Sequence, residues 1–255
     1  MLKHLRRLTS PERPLKEVSF FIKEISTGLV SVIGLFVISL LLFYFLVHSV
    51  IPEKRDIIDT SAFLFFNSCI TPVHTRIARA LTFFGTGSFL IPFYILIVFY
   101  LLRKKCVQYA IMVSAMAVSS LLLGWLLKEL FHRSRPLNPL VGGAGGYSFP
   151  SGHALGGFIF SGVLLCLIWQ AKRNIYLKWM LSLFIGAFGT MIGLSRIYLH
   201  VHYATDVIGS LIVTLIWFSL FYIFFQFIYS SGKAGRSGIY NTEARLISEN
   251  YHFNN

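Results

Sequence analysis

Six apolar runs, each close to 20 residues and each stopped by charge, proline or a polar turn, constrain this chain more than any other feature. They cover about Gly28 to Ile51, Gly87 to Leu102, Val107 to Leu127, Ala154 to Gln170, Leu177 to Ile197 and Thr205 to Tyr229. About 20 apolar residues are what a helix needs to cross the hydrocarbon of a bilayer. Inside that layer only a helix or a closed barrel satisfies its own backbone. The expected fold is therefore all-α: a polytopic membrane protein with six transmembrane helices. Only 13% of the residues are charged, against about 25% in soluble domains. The first run starts too far into the chain and runs too long for a cleavable signal, and no small-residue cleavage site follows it, so it is expected to be an uncleaved span.

Formal charge is +13, which raises nucleic acid as a partner. The bases, however, sit at the ends of apolar runs and are not clustered with aromatics on one face, so they speak for membrane topology and against nucleic acid. With the N-terminus inside, the inner segments hold the bases before the first span, Arg103 to Lys105, Lys172, Arg173, Lys178, Lys233, Arg236 and Arg245. The outer segments hold Lys54, Arg55, Arg76, Arg79, Lys128, Arg133, Arg135 and Arg196. The excess lies on the inner side, which places both termini inside. This gives a basic cytoplasmic arm over 1–27, a six-span domain over 28–229 and a polar cytoplasmic tail over 230–255. Thr71 and Pro72 start a short amphipathic helix, with Val73, Ile77 and Leu81 four apart, expected to lie on the interface and connect two spans. Cys69, Cys106 and Cys166 form no even framework and imply neither a disulfide nor a metal site.

Three polar motifs interrupt this apolar chain on its outer side. In "KELFHRSRP", Lys128 and Arg135 are seven apart and would extend from one face if the third helix continues outward, with Pro136 ending it. In "YSFPSGHALGG", Pro150, Ser151, Gly152 and His153 fall where the fourth helix begins. A helix N-terminus attracts phosphate, Gly152 permits close backbone approach and Ser151 adds a hydroxyl; the same residues also serve simply as a helix cap. In "SRIYLHVHYATD", Arg196 precedes His202 and Asp206, which share a face if the segment is helical. The carboxylate can then fix the imidazole tautomer, as nucleophilic or acid–base work requires, or the two can form a plain polar contact. Together the motifs bring three cations, a donor-rich helix end and two histidines to one interface. That set meets the demands of phosphate-ester hydrolysis.

The order K-x6-R-P, P-S-G-H and S-R-x5-H-x3-D, here Lys128 to Pro136, Pro150 to His153 and Ser195 to Asp206, resembles the tripartite signature of the type 2 phosphatidic acid phosphatase superfamily. The resemblance is strongest over about 120–210. It implies that His202 attacks phosphorus and forms a phosphohistidine, that Asp206 orients His202, and that His153 protonates the departing oxygen. Lys128, Arg135, Ser151, Gly152 and Arg196 would hold the phosphate oxygens, with no metal and no cofactor. His132, Arg133 and His200 lie beside signature positions without belonging to them.

The expected function is an integral membrane lipid-phosphate phosphatase, in a bacterial plasma membrane, with its site facing outward. Its substrate would be an amphiphile such as undecaprenyl diphosphate, phosphatidic acid or phosphatidylglycerophosphate. A phosphotransferase using the same residues is the near alternative. A non-catalytic lipid-binding or transport protein is the distant one, and it predicts degraded motifs where these are intact.

Overall fold

The computed structural model of the chain describes residues 12–50, 57–142 and 145–227. Among them helices are the only regular secondary structure: α1 Glu12–Phe45, which passes into a π-helical turn Leu46–Val50, α2 Ile57–Ser68, α3 Pro72–Phe83, α4 Gly87–Arg103, α5 Val107–Phe131, α6 Gly152–Gln170, α7 Ile175–Tyr198 and α8 Ala204–Phe227. The polar tail expected over 230–255, and residues 1–11 of the basic arm, lie outside the described residues. From Glu12 the arm is already helical and continues into the first span.

Five helices are long and apolar enough to cross a membrane: Gly28–His48, which runs from α1 into its π-helical turn, then α5, α6, α7 and α8. The remaining apolar run is α4, whose 17 residues fall just short, and which makes a bent pair with α3 at 41°. The expected interfacial helix and second span are thus two arms of one elbow. Local chemistry explains its ends. Thr71 caps α3, its Oγ1 accepting from the His74 amide at 3.1 Å, with Pro72 at the first helical position, where no amide is needed. Val73 and Ile77 stay exposed on α3 while Ala78 is buried.

Among the described residues two compact units can be distinguished, one within 12–37 and 219–227 and the other within 38–218. The first includes Tyr222, whose hydroxyl accepts from Gln226 Nε2 at 3.1 Å. The second carries every signature residue. In it α6 and α7 approach closely because glycines remove the side chains between them. A Cβ on Gly189 would meet Ser161 Oγ at 2.7 Å, and one on Gly157 would meet Ile192 Cγ2 at 3.3 Å. Small residues at helix contacts are how membrane helices pack without a hydrophobic driving force.

Two local expectations change. Helix α5 stops at Phe131, because His132 adopts the left-handed conformation (φ 45°) and its amide returns to the Lys128 carbonyl at 3.1 Å. Arg135 therefore reaches the site from a loop and not from the face of α5 that carries Lys128. Likewise α8 begins only at Ala204, so His202 stands in the turn before it and does not share a helical face with Asp206.

Candidate active site

Successive helices deliver the motif residues to one end of the bundle: Lys128 near the end of α5, Gly152 and His153 at the start of α6, Arg196 near the end of α7 and Asp206 in the first turn of α8. The turn holding His202 is tied back to α7, since the Val201 and His202 amides donate to the Arg196 carbonyl at 3.2 and 3.3 Å. The sequence motif works here as a folded turn.

His202 is 1% exposed. Its Nδ1 lies 3.4 Å from Asp206 Oδ2 and 3.4 Å from Ser148 Oγ, while Nε2 faces Arg135 Nη1 at 3.1 Å. A guanidinium only donates, so Nε2 accepts and the ring proton belongs on Nδ1, toward the carboxylate. Burial pushes the His202 imidazole down to about 4 against the opposing pull of Asp206. The ring is neutral at pH 7, with its lone pair on Nε2, toward Arg135.

Asp206 has both oxygens committed. Oδ2 accepts from Ser148 Oγ at 2.5 Å and from the Tyr203 amide at 2.9 Å, and Oδ1 accepts from Arg133 Nη1 at 2.6 Å. Arg133 also donates to Thr205 Oγ1 at 2.7 Å and pairs with Asp59 Oδ2 at 2.8 Å.

His202, His153, Lys128, Arg135, Arg196 and Gly152 line one polar cavity of about 510 Å³, joined by Arg79, Thr82, Val141, Gly142 and Gly145. Arg135 donates to the carbonyls of Gly145, Gly146 and Val201 at 2.9, 3.0 and 2.7 Å. Lys128 Nζ donates to the Tyr147 carbonyl at 2.6 Å. Arg196, 6% exposed, is held by Thr82 Oγ1 at 2.5 Å, and its Nε has no partner. None of these three cations has a carboxylate within 4 Å among the described residues. Arg196 is buried without a counter-ion, which is costly by several kcal/mol, and Lys128 and Arg135 stand half-buried beside it, so the cavity suits an anion. Ser151 differs from expectation. It is fully buried, its hydroxyl accepts from the Ala154 amide at 3.5 Å as the cap of α6, and it does not line the cavity.

A second, apolar cavity of about 790 Å³ runs along α4 and α5 from Gly85 to Leu102, and Gly152 and His153 line it as well. His153 thus stands where the cationic chamber meets the apolar groove. Among the described residues no three His, Cys, Asp or Glu side chains gather to hold a metal ion. His200 packs its ring edge-on against Phe63 at 5.0 Å.

Motif reading missed Asp59, Thr82, Ser148 and the role of Arg133. Asp59 carried one signal, as a lone acid within "IIDTSAFLFF", since acids beside apolar runs are costly and usually paired. Arg133 carried another, a base on the side where topology disfavours it. Ser148 carried none.

The protein resembles a solved structure, the transmembrane PAP2-type phosphatidylglycerolphosphate phosphatase from Bacillus subtilis. The TM-score is 0.63 at 26% identity, over 77% of this chain and 96% of that one. Among curated proteins it is 29% identical over 192 residues to phosphatidylglycerophosphatase B of Bacillus subtilis, spanning 72% of this chain and 91% of the relative. It is also 31% identical over 129 residues to undecaprenyl-diphosphatase BcrC of the same organism, spanning 49% of this chain and 58% of the relative. With its apolar helices, this makes the chain a multi-pass integral membrane protein. Residues 108–230 match the model of the PAP2 superfamily.

Proposed function

We propose that this protein hydrolyses a lipid phosphate through a phosphohistidine, with its site on the outer face of a bacterial plasma membrane. The observation that carries the reading is the chamber itself: three cations without a carboxylate partner among the described residues line one cavity with a buried, neutral histidine whose Nε2 carries no proton. In this reading Nε2 of His202 attacks phosphorus, and the P–O bond to the lipid breaks. His153 donates a proton to the departing oxygen. Arg135, whose Nη1 donates to Nε2 at 3.1 Å, turns to the phosphoryl oxygens together with Lys128, Arg196 and the open amide end of α6 at Gly152. Water then attacks the phosphohistidine, His153 takes its proton, and orthophosphate leaves. Ser151 serves by fixing the start of α6.

The groove beside His153 supports an amphiphilic substrate, since a hydrocarbon tail there would place the scissile oxygen against the proton donor. The named relatives act on phosphatidylglycerophosphate and undecaprenyl diphosphate, and these, with phosphatidic acid, are the substrates to offer. The inner excess of Lys and Arg supports the outward orientation.

The test is phosphate release from these three lipids by detergent-purified protein in EDTA, beside His202→Ala. Release by the wild type and background release by the variant are expected. Equal activity in both would remove His202 as nucleophile. Transfer of phosphate to an added acceptor lipid, in place of release, would make the protein a phosphotransferase.

A further inference from the structure

Arg133 stands outside the motif positions, yet it is the base near the site that pairs with carboxylates. Its guanidinium bridges two carboxylates, Asp206 at 2.6 Å and Asp59 at 2.8 Å, and the side chains in these pairs are 10% exposed or less. The ring of Tyr203 covers its face at 4.3 Å. Its backbone carbonyl accepts from the Ser148 amide at 2.7 Å, and Ser148 Oγ in turn donates to Asp206 Oδ2. Arg133 therefore governs both oxygens of Asp206, one directly and the other by placing Ser148.

Asp59 completes the arrangement from α2, 74 residues away in sequence. Besides holding Arg133, its Oδ1 accepts from the Thr205 amide at 2.9 Å, in the first turn of α8. A carboxylate is favoured at that positive helix end. Asp59 thus fixes the turn of α8 that bears Asp206.

Charge gives the cluster a further use. One guanidinium between two carboxylates carries a net single negative charge. When Nε2 bonds to phosphorus the imidazole becomes positive, and a negative cluster at Nδ1 compensates that charge as it develops. Arg133 paired with Asp206 alone would be neutral.

We infer that Arg133, anchored by Asp59, is a positioning residue that fixes Asp206 and, through it, the orientation and charge of His202. The inference rests on the phosphatase reading above. A purely structural staple between α2 and the loop after α5 would show the same contacts but would not tie the pair to turnover.

Three variants separate the two: Arg133→Met, Asp59→Asn, and the double variant Asp59→Leu with Arg133→Met. The double variant removes both members of the pair, which cores often tolerate better than losing one. Each is purified in detergent and assayed for hydrolysis of dioctanoyl phosphatidic acid, for product inhibition by orthophosphate, and for its thermal midpoint. The expected result is a fall in kcat of about 10- to 100-fold, the usual cost of losing an outer support of a reacting group. KM and the orthophosphate inhibition constant stay within about twofold, because Lys128, Arg135 and Arg196 are untouched. In the double variant, kcat falls although the midpoint stays near the wild type. A kcat within twofold of wild type in a folded variant overturns the inference, as does a matched loss of kcat and phosphate binding. Failure of all three to fold overturns it too, in favour of the staple. A wild type that releases no phosphate from any lipid defeats the phosphatase reading instead.

Discussion

His202 owes its chemistry to what surrounds it, because a solvated imidazole near 6.5 would be partly protonated at working pH. Enclosure lowers it to about 4, and Arg135 shows which nitrogen carries no proton. The same shift has a stability consequence with a definite sign. Between pH 6.5 and about 4 the unfolded chain binds a proton at this residue that the folded chain does not, so stability falls as pH falls through that window and levels off below it. The full effect is about 3 kcal/mol. We expect the thermal midpoint in detergent to drop between pH 7 and pH 4.5, and to drop less in His202→Gln; an identical drop in both would show that the titration lies elsewhere. At this scale the sequence revealed one half of the site. The pairing of His202 with Asp206 was legible from spacing, although it is a turn that makes it. The partners of Asp206 were not, since Asp59 and Ser148 come from segments whose proximity no local periodicity encodes.

Among the elements, the elbow between α3 and α4 is the one that apolar counting resolved least. The motif "FFGTG" breaks the helix, and Gly85 at the break is buried against α6. A Cβ there would lie 2.8 Å from the His153 carbonyl oxygen, 2.9 Å from Ile192 Cγ2 and 3.1 Å from His153 Cβ. Gly85→Ala should therefore push directly on the first turn of α6, at a cost of about 1–3 kcal/mol, and should lower activity with it. Gly186→Ala on α7, where no atom lies within 4 Å of the added methyl, is the control and should change neither. Equal responses from the two would mean that the elbow does not position His153. Helix starts were more legible than stops. Thr71-Pro72 announces α3, and Ser151 announces α6. The end of α5 depends on His132 adopting a left-handed conformation that residues such as glycine advertise and histidine does not.

At the scale of the whole chain, the apolar runs carried nearly all the information about the fold, since a bilayer imposes helix and length together. What they left open was the status of α4, whose 17 residues pass for a span only with α3. Orientation can be read from native cysteines. Cys106 caps α5 at the end remote from the site, and Cys69 lies between α2 and α3. With 25 residues, α5 is about 38 Å long, enough to keep its ends on opposite sides. In single-cysteine variants in intact cells, a membrane-impermeant maleimide should label Cys69 and spare Cys106 until the cells are lysed. The reverse pattern would turn the site inward.

His153 lines two cavities at once, one cationic and one apolar. For an enzyme built this way the reactant need never dissolve. The headgroup can be drawn into the chamber while the tail stays in a hydrocarbon phase, so encounters take place in a plane and not in a volume. The quantity that sets the rate is then the mole fraction of substrate in the film. Diluting that film with inert lipid or detergent slows the reaction even when the amount of substrate per millilitre is unchanged.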